Sequence, residues 1–203
     1  MRATCERMRS VVLTLALAVS ACDTQHTAAV PPQPPTPEPT LLARDEDAPG
    51  IRVRIVAVEG ASGVDGTLQP GDRVRVRFEL TKADATPWGI AEMVESSALL
   101  SGPTFNYQRV LAEQRDVVER AQANADGSFT YSFAARIPEH YLAPYNDTDA
   151  FGEGDGELKG RALLAGTYTV GLSFVWDYSV AGVAARSYSA RTGSTPRSSR
   201  CWP

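Results

Sequence analysis

Arg73-Val74-Arg75-Val76-Arg77-Phe78-Glu79-Leu80 alternates without a break. Val74, Val76, Phe78 and Leu80 point one way; Arg73, Arg75, Arg77 and Glu79 point the other. A period of two is the mark of a strand with one face in a core and one in water. The three arginines therefore read as a solvated face and not as a phosphate site. Pro70-Gly71-Asp72 supplies the turn before the strand, and Ile51-Arg52-Val53-Arg54-Ile55 repeats the pattern upstream.

Alternation and turn signals mark further strands on either side. Asn124-Ala125-Asp126-Gly127 marks a hairpin between residues 116–123 and 128–136. In its second arm Phe129, Tyr131 and Phe133 alternate with Ser128, Thr130 and Ser132. Residues 167–178 read as the longest strand, with Tyr168, Val170, Leu172, Phe174 and Trp176 on a core-facing side. Val180-Ala181-Gly182 turns it into a last strand over 183–188, and residues 93–100 read as another. Residues 107–122 carry Val110, Val117 and Val118 among Glu and Arg, a spacing compatible with a helix. Many short strands between turn signals predict a mainly β fold, an antiparallel Ig-like β-sandwich over residues 51–188. Gly166-Thr167-Tyr168-Thr169-Val170 sits where such sandwiches carry a tyrosine corner, and Trp88 or Trp176 is the candidate core tryptophan.

The N-terminus follows different rules. Arg2, Arg7 and Arg9 precede the apolar run Val11–Val19, and Ser20 and Ala21 lead into Cys22. A nine-residue run is too short to cross a hydrocarbon layer, which takes about 20. The segment reads as a cleaved secretion signal over residues 1–21. Its ending, Val19-Ser20-Ala21-Cys22, resembles the lipobox of bacterial lipoproteins. That resemblance implies acylation of Cys22 and a lipid-held N-terminus in the cell envelope. The outer membrane is preferred over the inner, although Asp23 resembles an inner-membrane retention signal of enteric bacteria.

Residues 22–50 then form a lipidated cysteine and a Pro-rich tether read as disordered. They hold half of the chain's 14 prolines, mostly in Pro31-Pro32-Gln33-Pro34-Pro35-Thr36-Pro37-Glu38-Pro39. Proline fixes φ and donates no hydrogen bond, so the stretch favours polyproline II. Fully extended, at about 3.1 Å per residue, it would reach roughly 80 Å.

Composition narrows the function classes. Loss of residues 1–21 removes three Arg and one Glu, which takes the formal charge from −4 to −6. An acidic chain of this kind lacks the basic face that nucleic acid demands. Once Cys5 is removed with the signal and Cys22 is acylated, Cys201 is the one cysteine left, so the fold must rest on its apolar core.

Sites are sparse in the sequence. There is no Cys-x-x-Cys-His, no Cys/His zinc cluster, no Gly-x-Ser-x-Gly and no phosphate loop. A Ser–His–acid set would need His140, in a loop without a nucleophile signature, and the chain is read as non-catalytic. Asn146, Asp147, Asp149, Glu153, Asp155 and Glu157 fall within twelve residues. Two readings stand for them. Asn146, Asp147, Asp149, Asp155 and Glu157 could supply oxygens to Ca2+, or the stretch is a solvated loop whose Asp and Asn cap turns. Tyr141, Pro144 and Tyr145 beside these acids could line a glycan site, or anchor the loop to the sandwich.

Several phrases together resemble a known family. They are Leu99-Leu100-Ser101-Gly102-Pro103-Thr104 with Asn106-Tyr107, Asp126-Gly127-Ser128-Phe129-Thr130-Tyr131, Ala143-Pro144-Tyr145-Asn146-Asp147-Thr148, and Leu163-Leu164-Ala165-Gly166-Thr167-Tyr168-Thr169-Val170-Gly171. The chain resembles, over roughly residues 51–190, the N-terminal β-sandwich domain of outer-membrane multihaem c-type cytochromes of the OmcA/MtrC type. The resemblance implies a lipid-anchored module at the cell surface, with a multihaem cytochrome or another envelope protein as partner. It carries over no haem residue, because the haem-binding motif is missing. The alternative is a free-standing envelope binding or adhesion module for calcium, glycan or a protein. Residues 189–203, with Arg191, Arg197 and Arg200 and no acid, read as a disordered or out-of-frame tail of a truncated member.

Overall fold

The computed structural model describes residues 37–103, 108–142 and 158–189, and the backbone of residues 200–201. All of them belong to one compact unit that begins at Pro35. The chain is mainly β, and its two larger sheets are built almost wholly of antiparallel pairs, as the alternation predicts.

One sheet has the order β2 (Arg52–Glu59), β3 (Arg75–Thr81), β6 (Phe129–Ser132), β5 (Gln122–Ala123). The β2–β3 register shifts between Ile55 and Ala57, where Val56 is the extra residue. Such a bulge resets which residues face outward. Beyond it, Val58 lies opposite Val76 and Glu59 opposite Arg75. The outer face is then a set of exposed ion pairs. Arg54 pairs with Glu79, Arg75 with Glu59 at 3.4 Å, and Arg77 with Asp126 at 3.6 Å. These are worth little individually. They account for the arginine face as a solvated one.

The second sheet is centred on β8 (Thr169–Val180). β4 (Glu95–Ser101) lies along the first half of one edge, with Glu95 opposite Val175 and Ser101 opposite Thr169. β9 (Val183–Tyr188) lies along the other edge, with Tyr188 opposite Val175. Residues 108–114 run beside β4, joined by bridges at Ala98–Gln114 and Ser101–Arg109. A helix over residues 107–122 is therefore corrected. The helical part is a single turn, α1 (Val117–Arg120). The preceding residues spend their N–H groups on β4, as in the 2.8 Å bond from Val110 N to Leu100 O. The first arm of the predicted hairpin shortens for the same reason, to Gln122–Ala123.

The tether also needs correction at its end. β1 (Thr40–Leu42) pairs in parallel with Tyr178–Val180 of β8, and Leu42 is buried. Directly after Pro39 these residues regain their N–H groups, and the edge of β8 beyond β4 is open to receive them. A two-residue strand, β7 (Gly166–Thr167), pairs with β10 (Arg200–Cys201), inside the segment read as a tail.

Between the sheets, Phe78 joins the two layers. Its ring centroid lies 5.5 Å from Phe174 and 5.7 Å from Phe129. Both candidate tryptophans are in the core, 5.1 Å apart, and Trp88 Nε1 donates to Gly50 O at 2.9 Å. Tyr168, Val170, Phe174 and Trp176 are buried as predicted. Leu172 is half-buried and packs against the core.

Candidate functional site

Most residues singled out by sequence do not enter the described fold. Cys22, Asn146, Asp147, Asp149, Asp155 and Glu157 lie outside the described residues, as do Pro144 and Tyr145. Tyr141 is described, and it is a structural anchor. It is buried, its hydroxyl donates to Gly102 O at 3.1 Å, and it lies 3.3 Å from the Tyr168 hydroxyl. A ring so enclosed cannot offer a face to a sugar. His140 is exposed and bridges Ala162 beside a hollow lined by Pro70, Glu139, Ala162 and Leu163. Among the described residues the lining supplies no Ser, Thr or Cys for His140 to activate. Among the described residues no group of three His, Cys, Asp or Glu converges.

A different place gathers chemistry: the outer face of the β4–β8–β9 sheet. Glu95 and Ser97 alternate with the core residues Ser96 and Ala98, and Ser173 and Val175 alternate with Phe174 and Trp176. Tyr188, opposite Val175, shares that outer face. Residues 113–119 rise beside β4 and make a wall. The result is an open groove of about 320 Å³, with Val175 on its floor, Tyr188 on one side, and Glu113, Arg115 and Glu119 on the other. Val175 is buried although it faces outward, because its neighbours on both edges, Glu95 and Tyr188, cover it.

Two of the groove's carboxylates, Glu95 and Glu113, are held in ion pairs. Arg186 Nη1 donates to Glu95 Oε1 at 2.5 Å, and its Nε lies 2.9 Å from Asp177 Oδ1. The hydrogen bond to Glu95, then the charges of Asp177 and Glu95, raise the Arg186 pKa. Arg115 Nη2 donates to Glu113 Oε2 at 3.1 Å. Burial alone would raise the pKa of Glu113. Hydrogen bonds from Ser97 and Arg115, with the charges of Arg115 and Arg109, outweigh that and hold the carboxyl below its ordinary range. Glu113 is thus ionised at neutral pH and fixed in place. Tyr188 adds a smaller contribution that also raises the Arg186 pKa, while 65% of the residue stays exposed. What the arrangement can do is offer fixed donors, fixed acceptors and one aromatic surface to a small polar ligand.

Sequence reading missed this groove because its parts are far apart in the chain. Glu95 and Arg186 are separated by 91 positions. The one local signal was the outward position of Arg186 and Tyr188 along the last strand.

No family model and no curated protein matches the sequence. Among solved structures, the chain is similar to part of the crystal structure of the outer membrane decaheme cytochrome OmcA. The match covers 76% of this chain and 25% of that one, with 10% sequence identity and a TM-score of 0.34. The chain thus spans a quarter of the length of the structure that it matches.

Proposed function

We propose that this chain is a lipid-anchored, non-catalytic β-sandwich module of the cell envelope, raised on a Pro-rich stalk. In this reading it serves as the haem-free N-terminal domain of a surface multihaem electron-transfer protein. The observation that carries the anchor is the ending Val19-Ser20-Ala21-Cys22 after a nine-residue apolar core. The domain assignment rests on the four phrases that resemble the multihaem family. Of these, residues 99–103 close β4, Asp126 to Tyr131 form the hairpin turn and β6, and Leu163 to Gly171 build the corner before β8. Among the described residues no helix is long and apolar enough to cross a membrane. Attachment in this reading comes from the acyl chains on Cys22, with the domain facing the periplasm or cell exterior.

Membrane fractionation tests the anchor. The natural chain is expected in the membrane pellet, with a mature N-terminus at Cys22 carrying lipid by mass spectrometry. Cys22→Ala is expected to move it to the soluble fraction or to leave an uncleaved precursor. An unmodified mature N-terminus at another residue would overturn the reading.

A second reading, a free-standing binding module, is favoured by one observation: the open groove beside Tyr188, with its fixed charge pairs.

A further inference from the structure

We propose that the groove on the outer face of the β4–β8–β9 sheet binds a neutral saccharide. The inference deepens the reading of the chain as a binding module and does not depend on the anchor or on a haem-bearing partner.

Size sets the first limit. At about 320 Å³ the groove lies at the small end of ligand sites, which run from roughly 300 to 1,000 Å³. Charge sets the second. An anion would meet Glu95, Glu113 and Glu119 along the lining, against Arg115 alone. A cation would find Glu95 engaged by Arg186 and Glu113 by Arg115 and Ser97, which leaves the exposed Glu119 as its remaining attraction. To bind Glu95 or Glu113 it would have to displace a guanidinium from its carboxylate. A neutral ligand displaces nothing.

Hydroxyl-rich ligands fit the remaining capacity. An ionised carboxylate has about four lone-pair sites, and each pair described here uses a fraction of them. The free sites accept from ligand hydroxyls. Arg115 keeps N–H donors that Glu113 does not use, and its side chain is 81% exposed. Ser97 and Ser173 can donate or accept. Hydrogen bonds to ionised groups are among the stronger ones available to a neutral ligand.

Tyr188 supplies the apolar component. A sugar ring has a polar rim and a face of C–H groups. The exposed tyrosine offers a flat apolar surface with a polar tip, the combination that favours such rings at binding surfaces. It stands on a strand paired along its length with β8, so its backbone is fixed before any ligand arrives.

The test uses the full chain carrying Cys22→Ala, titrated by NMR with maltotriose, cellotriose and chitotriose. Oligolysine and inorganic phosphate serve as charged probes. At least one neutral trisaccharide is expected to bind and to shift amides of β4 and β9. Tyr188→Ala is expected to weaken it by about tenfold or more, while Tyr188→Phe retains most of the affinity and Glu113→Gln weakens it. Unchanged melting curves would confirm that the variants fold. Binding of oligolysine or phosphate alone, no binding of any trisaccharide, or affinity indifferent to Tyr188→Ala would each overturn the proposal. Cross-linking to envelope proteins in cells is read in parallel. Cross-links without sugar binding would sink the saccharide and leave the binding-module reading standing; absence of both would sink the two together.

Discussion

The Tyr168 hydroxyl donates to the Leu164 carbonyl at 2.6 Å, closing a tyrosine corner four residues long. Two residues later Val170 is buried where an antibody-type domain carries its second cysteine. The corner also collects other parts of the chain. Tyr141 Oη lies 3.3 Å from Tyr168 Oη and donates to Gly102 O, just past the end of β4. A buried hydroxyl pair thus ties the entry to β8, the loop around Tyr141 and the exit from β4.

Tyr168→Phe keeps the ring and removes the donor. The Leu164 carbonyl is left without that bond, so the expected loss is about 1–3 kcal/mol. Urea denaturation should show a lower midpoint at unchanged slope. A midpoint equal to that of the natural chain would mean that the bond adds nothing to stability.

Phe174 is fully buried, in ring contact with Phe78 of the opposite sheet. Phe174→Ala should cost about 3–5 kcal/mol through lost transfer energy and the cavity left behind. An unchanged melting curve would be incompatible with this register of β8.

Gly60 has φ +98, and a Cβ there would sit 2.1 Å from the Arg73 carbonyl oxygen. Gly71 has φ +91 and open space around it. Gly71→Ala should therefore carry the backbone penalty alone, about 1–2 kcal/mol. Gly60→Ala adds a collision with backbone that cannot turn aside, and its melting temperature should fall well below that of Gly71→Ala. Equal shifts in calorimetry would refute the clash.

Acid should loosen the loop before β3. Asp72 is a buried residue, and its carboxylate accepts from Gln69 N at 2.7 Å and Ser62 N at 3.1 Å. Burial alone would raise its pKa. Hydrogen bonds from Ser62 and Gln69, with the charge of Arg136, outweigh that and hold it below the ordinary value. The folded pKa thus lies below the unfolded one, about 3.9. The stabilisation is fully present above that unfolded value and is lost as pH falls through the lowered folded pKa. Asp72→Asn should be less stable than the natural chain at pH 7, and the gap should narrow as pH falls below the unfolded value of about 3.9. A gap independent of pH would show that the carboxylate's charge plays no part.

Strand identity was legible in the sequence wherever alternation was strict. Val74 to Leu80, Phe129 to Phe133 and Tyr168 to Trp176 each fixed a buried side, because a strand's side chains alternate through covalent geometry alone. The tyrosine corner was legible too, since its hydrogen bond spans four residues. Elsewhere local pattern was silent. Val110 and Leu111 are consecutive and both buried, so residues 108–114 show no period although they run along β4. Thr40–Leu42 is too short for a period, and its place beside Tyr178–Val180 depends on where β4 ends. Val175 lies on the face that alternation assigns to solvent, yet Glu95 and Tyr188 bury it from the two neighbouring strands. The groove has the same origin. Its carboxylates, its one arginine and its tyrosine come from β4, residues 113–119 and β9, and nothing in any one segment requires the others. Side-chain direction is set by each strand's own backbone, so the sequence determined the strands and their inner faces. Which outer faces meet depends on register between distant strands, and that was decided by the tertiary structure, where non-local pairing brings them together.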